Sequence, residues 1–182
     1  MGMAVRRGDA DDFLIKAEKA ANARGVRELG LVSGADDGLE ELLRGIEAGE
    51  IKGLYLCGGD LLEVVARERL TALLDKLELL IVQDFTLDPS LKARVFLPAS
   101  SFAEKEGTFT NHAGRVQRIY QAIKSRTGMT DGEIFTQILN QLDGRQRDFG
   151  IPQVWSAIAS NGASLSRVEF EQIPPEGAQI PT

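Results

Sequence analysis

The stretch Glu78-Leu79-Leu80-Ile81-Val82-Gln83-Asp84 constrains this chain more than any other: four consecutive aliphatic residues stop abruptly at an amide and a carboxylate. A strand with one wet face alternates apolar and polar residues, whereas a strand covered on both faces does not. The run therefore predicts a buried strand of a parallel sheet. Parallel neighbours require helical crossovers, so the flanking sequence has to supply them.

It does. Residues 9–24 read as a helix, with Asp9 or Asp11 as cap, Phe13, Leu14, Ala17 and Ala21 on one face, and Gly25 as terminator. Leu29-Gly30-Leu31-Val32-Ser33 reads as a weak strand. Residues 36–48 form an amphipathic helix through Leu39, Leu42, Leu43 and Ile46. A second apolar run, 52–60, ends in Gly58-Gly59-Asp60, and a helix over 60–76 follows with Leu61, Val64, Val65, Leu70, Leu73 and Leu74. Residues 85–93 read as a short helix and 94–98 as a strand ended by Pro98. This alternation predicts the α/β class, with a parallel, Rossmann-like sheet, flanking helices and right-handed crossovers.

After Pro98 the pattern changes. Residues 99–119 read as a loop with a short hairpin, and C-terminal helices follow. Thr130-Asp131-Gly132-Glu133 is a capping box opening a helix with Ile134, Phe135, Ile138, Leu139 and Leu142. Pro152 suits the first position of a helix holding Val154, Trp155 and Ile158 and closed by Asn161-Gly162. The proline-rich end reads as extended. The expected division is an appended or disordered N-terminus over 1–8, an α/β part over 9–98, and a loop, helices and tail over 99–182.

The net charge of −6 with no long Lys/Arg cluster argues against a nucleic-acid or anionic-membrane partner. Arg115, Arg118 and Lys124 read as a solvated basic face. Cys57 is the single cysteine, which excludes an intramolecular disulfide and a four-cysteine cluster, and suits a reducing cytoplasm. It reads as a buried, inert thiol. No apolar run approaches the ~20 residues of a membrane span, and the N-terminus lacks the apolar core of a signal peptide.

Ligands of open parallel sheets bind beyond the carboxyl ends of the strands. Two runs end there in polar groups, Gly58-Gly59-Asp60 and Gln83-Asp84, although the same residues are ordinary turn and cap chemistry. Neither G-x-G-x-x-G nor G-x-x-x-x-G-K-[ST] is present. Ser100 and Ser101 lack a G-x-S-x-G setting, and the one histidine, His112, reads as a surface residue of a glycine-rich turn. No His, Cys and carboxylate set has metal-ligand spacing. Read by residue, the chain carries no catalytic or metal-binding machinery.

The segment 79–117 nonetheless has a specific likeness. Ala99 through Gln117, with Phe102, Glu104-Lys105, Gly107-Thr108-Phe109, Asn111 and Gly114-Arg115-Val116-Gln117, resembles the molybdopterin oxidoreductase family, most closely the large iron–sulfur subunit of bacterial NADH-quinone oxidoreductase (respiratory complex I). Residues 20–32 and 49–60 carry weaker echoes, and the likeness extends over about residues 10–175. The chain departs from the family pattern at Thr86–Ser90, at Ala93-Arg94 and at Ala113.

The resemblance implies a C-terminal fragment of such a subunit: a non-catalytic structural domain on the cytoplasmic side of a respiratory complex. Its partners would be the parent's other domains and subunits. No cofactor is expected in this chain, while the parent would hold iron–sulfur clusters and, in some relatives, molybdopterin. The alternative is half of the cofactor cleft of an active molybdopterin-guanine-dinucleotide oxidoreductase. Gly59, Asp60, Gln83, Asp84, Gly107, Thr108, Asn111 and Arg115 would then face the nucleotide and pterin; in the scaffold reading they are vestigial. A third reading is a free-standing nucleotide-binding α/β module.

Overall fold

The computed structural model describes residues 20–31, 38–58, 61–160 and 164–180. Helices α1 (Ala23–Glu28) and α2 (Gly38–Glu47) precede strand β1 (Gly53–Cys57). Helix α3 (Arg67–Leu74), strand β2 (Leu79–Asp84) and strand β3 (Val95–Pro98) follow. The three strands are parallel in the order β1-β2-β3, so the unbroken apolar run is the central strand. Its Leu80 and Val82 are 4% and 2% exposed. They pack with Leu43 and Ile46 of α2 and Leu70, Leu73 and Leu74 of α3 in one core. Each such side chain contributes roughly 1.5–3 kcal/mol relative to its exposed state.

The expected helix over 60–76 is broken. A 3-10 turn occupies Leu61–Glu63, Ala66 is extended (ψ 133°), and α3 starts at Arg67. Val65 is buried while Val64 is 53% exposed. Two adjacent β-branched residues hold a helix weakly, and seating Val65 in the core turns the chain out of helical geometry. The expected helix over 85–93 shrinks to a 3-10 turn at Pro89–Leu91, where the Asp88 carboxylate accepts from the Ser90 N–H at 2.8 Å.

The first expected helix lies mostly outside the described residues. Of its span, residues 20–24 are described: 20–22 are not helical, α1 begins at Ala23, and Gly25 sits inside α1 instead of ending the helix. The glycine is needed for close approach: a Cβ there would stand 2.5 Å from Asn22 Oδ1 and 3.1 Å from Thr110 Oγ1. Leu29 and Gly30 form the turn after α1 rather than a strand, Leu31 is unpaired in any sheet, and residues 32–33 lie outside the described part.

Beyond β3, the expected hairpin is present as β4 (Gly107–Thr110) and β5 (Arg115–Ile119), antiparallel with Phe109 opposite Gln117. Helix α4 (Asp131–Asp143) opens with its capping box, the Glu133 carboxylate accepting from the Thr130 N–H at 2.6 Å. Helix α5 (Ile151–Ser160) starts one residue before Pro152; its expected Asn161-Gly162 stop lies outside the described residues. The tail is only partly extended. It makes a 3-10 turn at Phe170–Gln172 and a tight turn from Pro174 to Gly177, then adds β6 (Ala178–Gln179) to the free side of β5. This second sheet packs through Val116 against Trp155, Leu165, Val168, Phe170, Ile173 and Ile180. The Trp155 indole donates to the Val168 carbonyl at 2.7 Å.

Candidate functional site

The parallel strands end level. Cys57 stands beside Gln83, Gln83 beside Leu97 and Asp84 beside Pro98. This carboxyl edge is where an open parallel sheet receives a ligand, so the polar groups there define the candidate site. Gln83 is fully buried, and both ends of its amide are bonded. Its Oε1 accepts from the Tyr55 hydroxyl, and its Nε2 donates to Asp131 Oδ1 at 2.8 Å.

Asp131 is the first residue of α4 and joins three parts of the chain. Besides Gln83, its Oδ1 lies 3.4 Å from the Ser100 N–H, and its Oδ2 pairs with the Lys105 ammonium. Ser100 in turn donates to the Met129 carbonyl at 3.0 Å. The Tyr55 ring meets Phe135, with centroids 5.9 Å apart. Strand ends, loop and helix are thus locked through one carboxylate.

Electrostatics at this edge follow from crowding. Burial, then the neighbouring Cys57 and Asp131, push the Tyr55 phenol above its usual range. Desolvation by its neighbours and the Asp131 charge raise the Cys57 thiol, against the opposing pull of Lys105. Cys57 itself is exposed, not buried as its apolar run implied. It is the last residue of an outer strand, where pairing stops and cover ends.

The hairpin satisfies its own backbone. Asn111 Oδ1 accepts from the N–H groups of Ala113 (3.0 Å) and Arg115 (2.9 Å), and its N–H donates to the Arg115 carbonyl at 3.0 Å. Gly114 has φ +80°, and a Cβ there would lie 3.0 Å from Gln179 Nε2 and 3.1 Å from Ile180 Cγ1. Arg115 donates to the carbonyls of Glu176 (3.3 Å) and Gly177 (3.4 Å), tying the tail to the turn. Thr110 N–H donates to Asn22 Oδ1 at 2.7 Å, which seats α1 on β4. Before the hairpin, the buried Glu104 carboxylate accepts from the N–H groups of Ser101 (2.8 Å) and Arg126 (2.9 Å). These backbone bonds hold its carboxyl below the ordinary range.

Of the residues singled out in the sequence, Gln83 and Asp84 share the sheet edge, and Asp84 Oδ1 accepts from the Phe85 N–H at 2.7 Å. Gly107, Thr108, Asn111 and Arg115 run along the hairpin; Gly107 and Thr108 oppose Ile119 and Arg118. Gly59 and Asp60 lie outside the described residues. Tyr55 and Lys105 entered the sequence reading only within the stretches that carry the family likeness, and Asp131 only as the second residue of a capping box. Their bonds span 28, 26 and 48 positions of chain and leave no local mark.

The basic face is also different from expectation. Arg118 is half-buried, its guanidinium 4.2 Å from the centre of the Phe170 ring and 4.9 Å from that of Tyr120. His112 is exposed, as expected, and the Ser100 hydroxyl is engaged with Met129 and Ser125. Among the described residues no three His, Cys or carboxylate groups are placed to hold a metal ion. None of the described helices is long and apolar enough to cross a membrane.

Comparison with known proteins agrees with the hairpin likeness. The family model for molybdopterin oxidoreductase matches residues 12–140. The NADPH-Fe(3+) oxidoreductase subunit alpha of Geobacter sulfurreducens strain DL-1 / KN400 is 42% identical over 120 residues, 64% of this chain and 14% of that protein. A Staphylococcus aureus strain MRSA252 protein named "Putative formate dehydrogenase" is 39% identical over 137 residues, 74% of this chain and 13% of that protein. The chain therefore spans about one seventh of the length of these relatives. The match covers the parallel sheet, the sheet-edge network, the hairpin and most of α4, and on that ground the chain belongs to the molybdopterin oxidoreductase family.

Proposed function

We propose that this chain acts as a non-catalytic structural domain of a molybdopterin oxidoreductase-type subunit, of the kind represented by the large iron–sulfur subunit of NADH-quinone oxidoreductase. The observation that carries the reading is the state of Gln83: fully buried, with its amide bonded to Tyr55 and Asp131. A cofactor wall needs donors and acceptors aimed outward, and displacing paired buried groups costs about 1–3 kcal/mol each. At the hairpin, Asn111 and Arg115 are likewise bonded to the chain's own backbone. A pterin dinucleotide thus fits poorly against the described residues, and no reaction step is assigned to it. In this role the domain packs against other domains and subunits of a respiratory electron-transfer complex on its cytoplasmic side. Iron–sulfur clusters would be held by other parts of that complex, since one cysteine holds none.

A second reading, one wall of a working cofactor cleft, is favoured by the names of the two relatives, both oxidoreductases. Elemental analysis for molybdenum, tungsten and iron separates the two, with oxidised-pterin fluorescence on the same protein purified from its native host. Iron without molybdenum, tungsten or pterin is the expected result. Molybdenum or tungsten together with pterin overturns the scaffold reading.

A further inference from the structure

Among the described residues one buried polar side-chain atom has no partner, Arg118 Nε. No hydrogen bond or ion pair from the described residues reaches the rest of this guanidinium either. It lies between two rings, 4.2 Å from the centre of Phe170 and 4.9 Å from that of Tyr120. Phe170 is buried, whereas Tyr120 is 63% exposed, so Tyr120 is the ring that an incoming group can displace. A covered donor with no acceptor is rare in a folded chain and destabilises it, which points to an acceptor supplied from outside. Stacking between the rings fixes the plane of the guanidinium before any ligand arrives.

The surroundings indicate which acceptor fits. One guanidinium offers a single charge and a planar fork, which match a carboxylate. Glu169 and Glu171 flank Phe170 and are exposed, so a phosphate dianion meets like charge there. The residues after Arg118 add apolar surface. The Ala122 and Ile123 N–H groups donate to the Ala103 carbonyl at 2.9 and 3.0 Å, which brings the segment 120–123 alongside Phe102. Ile123 and Phe102 are 55% and 76% exposed. A small free carboxylate makes no use of that surface, whereas a peptide does, and arginine and tyrosine are the residues that most often carry the energy of protein contacts. We propose that Arg118, with Tyr120, Ile123 and Phe102 around it, receives an aspartate or glutamate side chain of another polypeptide, an apolar residue of that polypeptide seating beside it. The carboxylate accepts two hydrogen bonds from the guanidinium once Tyr120 swings aside. This surface involves neither the sheet edge nor any cofactor, so it stands or falls separately from the cofactor reading.

The test is an NMR titration of the isotope-labelled chain that follows the Arg118 Nε–H resonance, identified by its NOEs to the Phe170 and Tyr120 rings. The probes are the blocked dipeptides acetyl-Leu-Glu-amide and acetyl-Leu-Gln-amide, sodium acetate and inorganic phosphate. The glutamate dipeptide is expected to shift the resonance saturably, with a Kd on the order of 1–10 mM. The glutamine dipeptide is expected to bind at least ~10-fold more weakly for want of the carboxylate. Acetate and phosphate are expected to bind at least ~3-fold more weakly, since neither reaches the apolar surface. In Arg118→Lys, which keeps the charge and removes the fork, the accompanying shift of the Tyr120 ring is expected to weaken at least ~10-fold. The wild-type series decides even where that variant does not fold. A linear response to the glutamate dipeptide, an equal response to its glutamine counterpart, acetate or phosphate binding as tightly, or a folded lysine variant that binds unchanged would each overturn the proposal.

Discussion

Replacing Asp131 with alanine strikes the one carboxylate shared by β2, the loop before the hairpin and α4. Gln83 Nε2, fully buried, then loses its acceptor, which costs about 1–3 kcal/mol. The pair with Lys105, whose side chain is 35% exposed, adds about 0.2–1 kcal/mol after solvent screening. Loss of an acid from the first turn of α4 adds about 0.3–1 kcal/mol. Together these amount to about 1.5–5 kcal/mol, or roughly 3–20 °C in Tm for a chain of this size. Asp131→Asn keeps an oxygen for Gln83 and removes only the charge, so it is expected to cost about 1 kcal/mol. Urea unfolding followed by far-UV circular dichroism, with the m value held constant across variants, gives both numbers. If alanine costs less than about 0.5 kcal/mol, or asparagine as much as alanine, the network does not hold the sheet edge and the argument built on Gln83 fails.

Gly114→Ala forces a side chain into φ +80° and against Gln179 and Ile180; a loss of about 1–3 kcal/mol is expected by thermal melting, and a neutral result would show that the turn is free to relax. Glu104 carries a depressed carboxyl in the folded state because of its bonds from Ser101 and Arg126. The stability it contributes is therefore present above the unfolded carboxyl range near 4.3 and lost as pH falls through its lower folded value. Glu104→Gln should flatten the acid limb of stability against pH by about one proton; an unchanged slope refutes the assignment. Cys57, exposed but with its thiol raised by desolvation and by Asp131, should take up one equivalent of a disulfide reagent without denaturant, more slowly at pH 7 than a free thiol. Labelling only after unfolding would return it to the buried state that its sequence setting suggested.

Local signals were the legible part of this protein. The apolar run Leu79–Val82 read as a buried strand of a parallel sheet, because such strands carry unbroken aliphatic stretches; it is the central strand, with Leu80 and Val82 buried and Leu79 at its start 41% exposed. Thr130 and Glu133 announced the start of α4, and the glycine-rich turn announced a hairpin, since caps and turns bond residues two to four positions apart. Pairings across the chain were not legible. Nothing near Val64-Val65 states that one valine enters the core and the other faces water, which is what breaks the helix after residue 60. Nothing near Gln83 points to Asp131, 48 positions on, and nothing in the proline-rich tail says that Ala178–Gln179 will complete the second sheet. The amino-acid order determined the parallel strands, the hairpin, the capped start of α4 and the family to which the chain belongs. Only the tertiary structure decided which polar groups at the sheet edge bond to each other, because a buried amide takes whichever partner packing brings within about 3 Å.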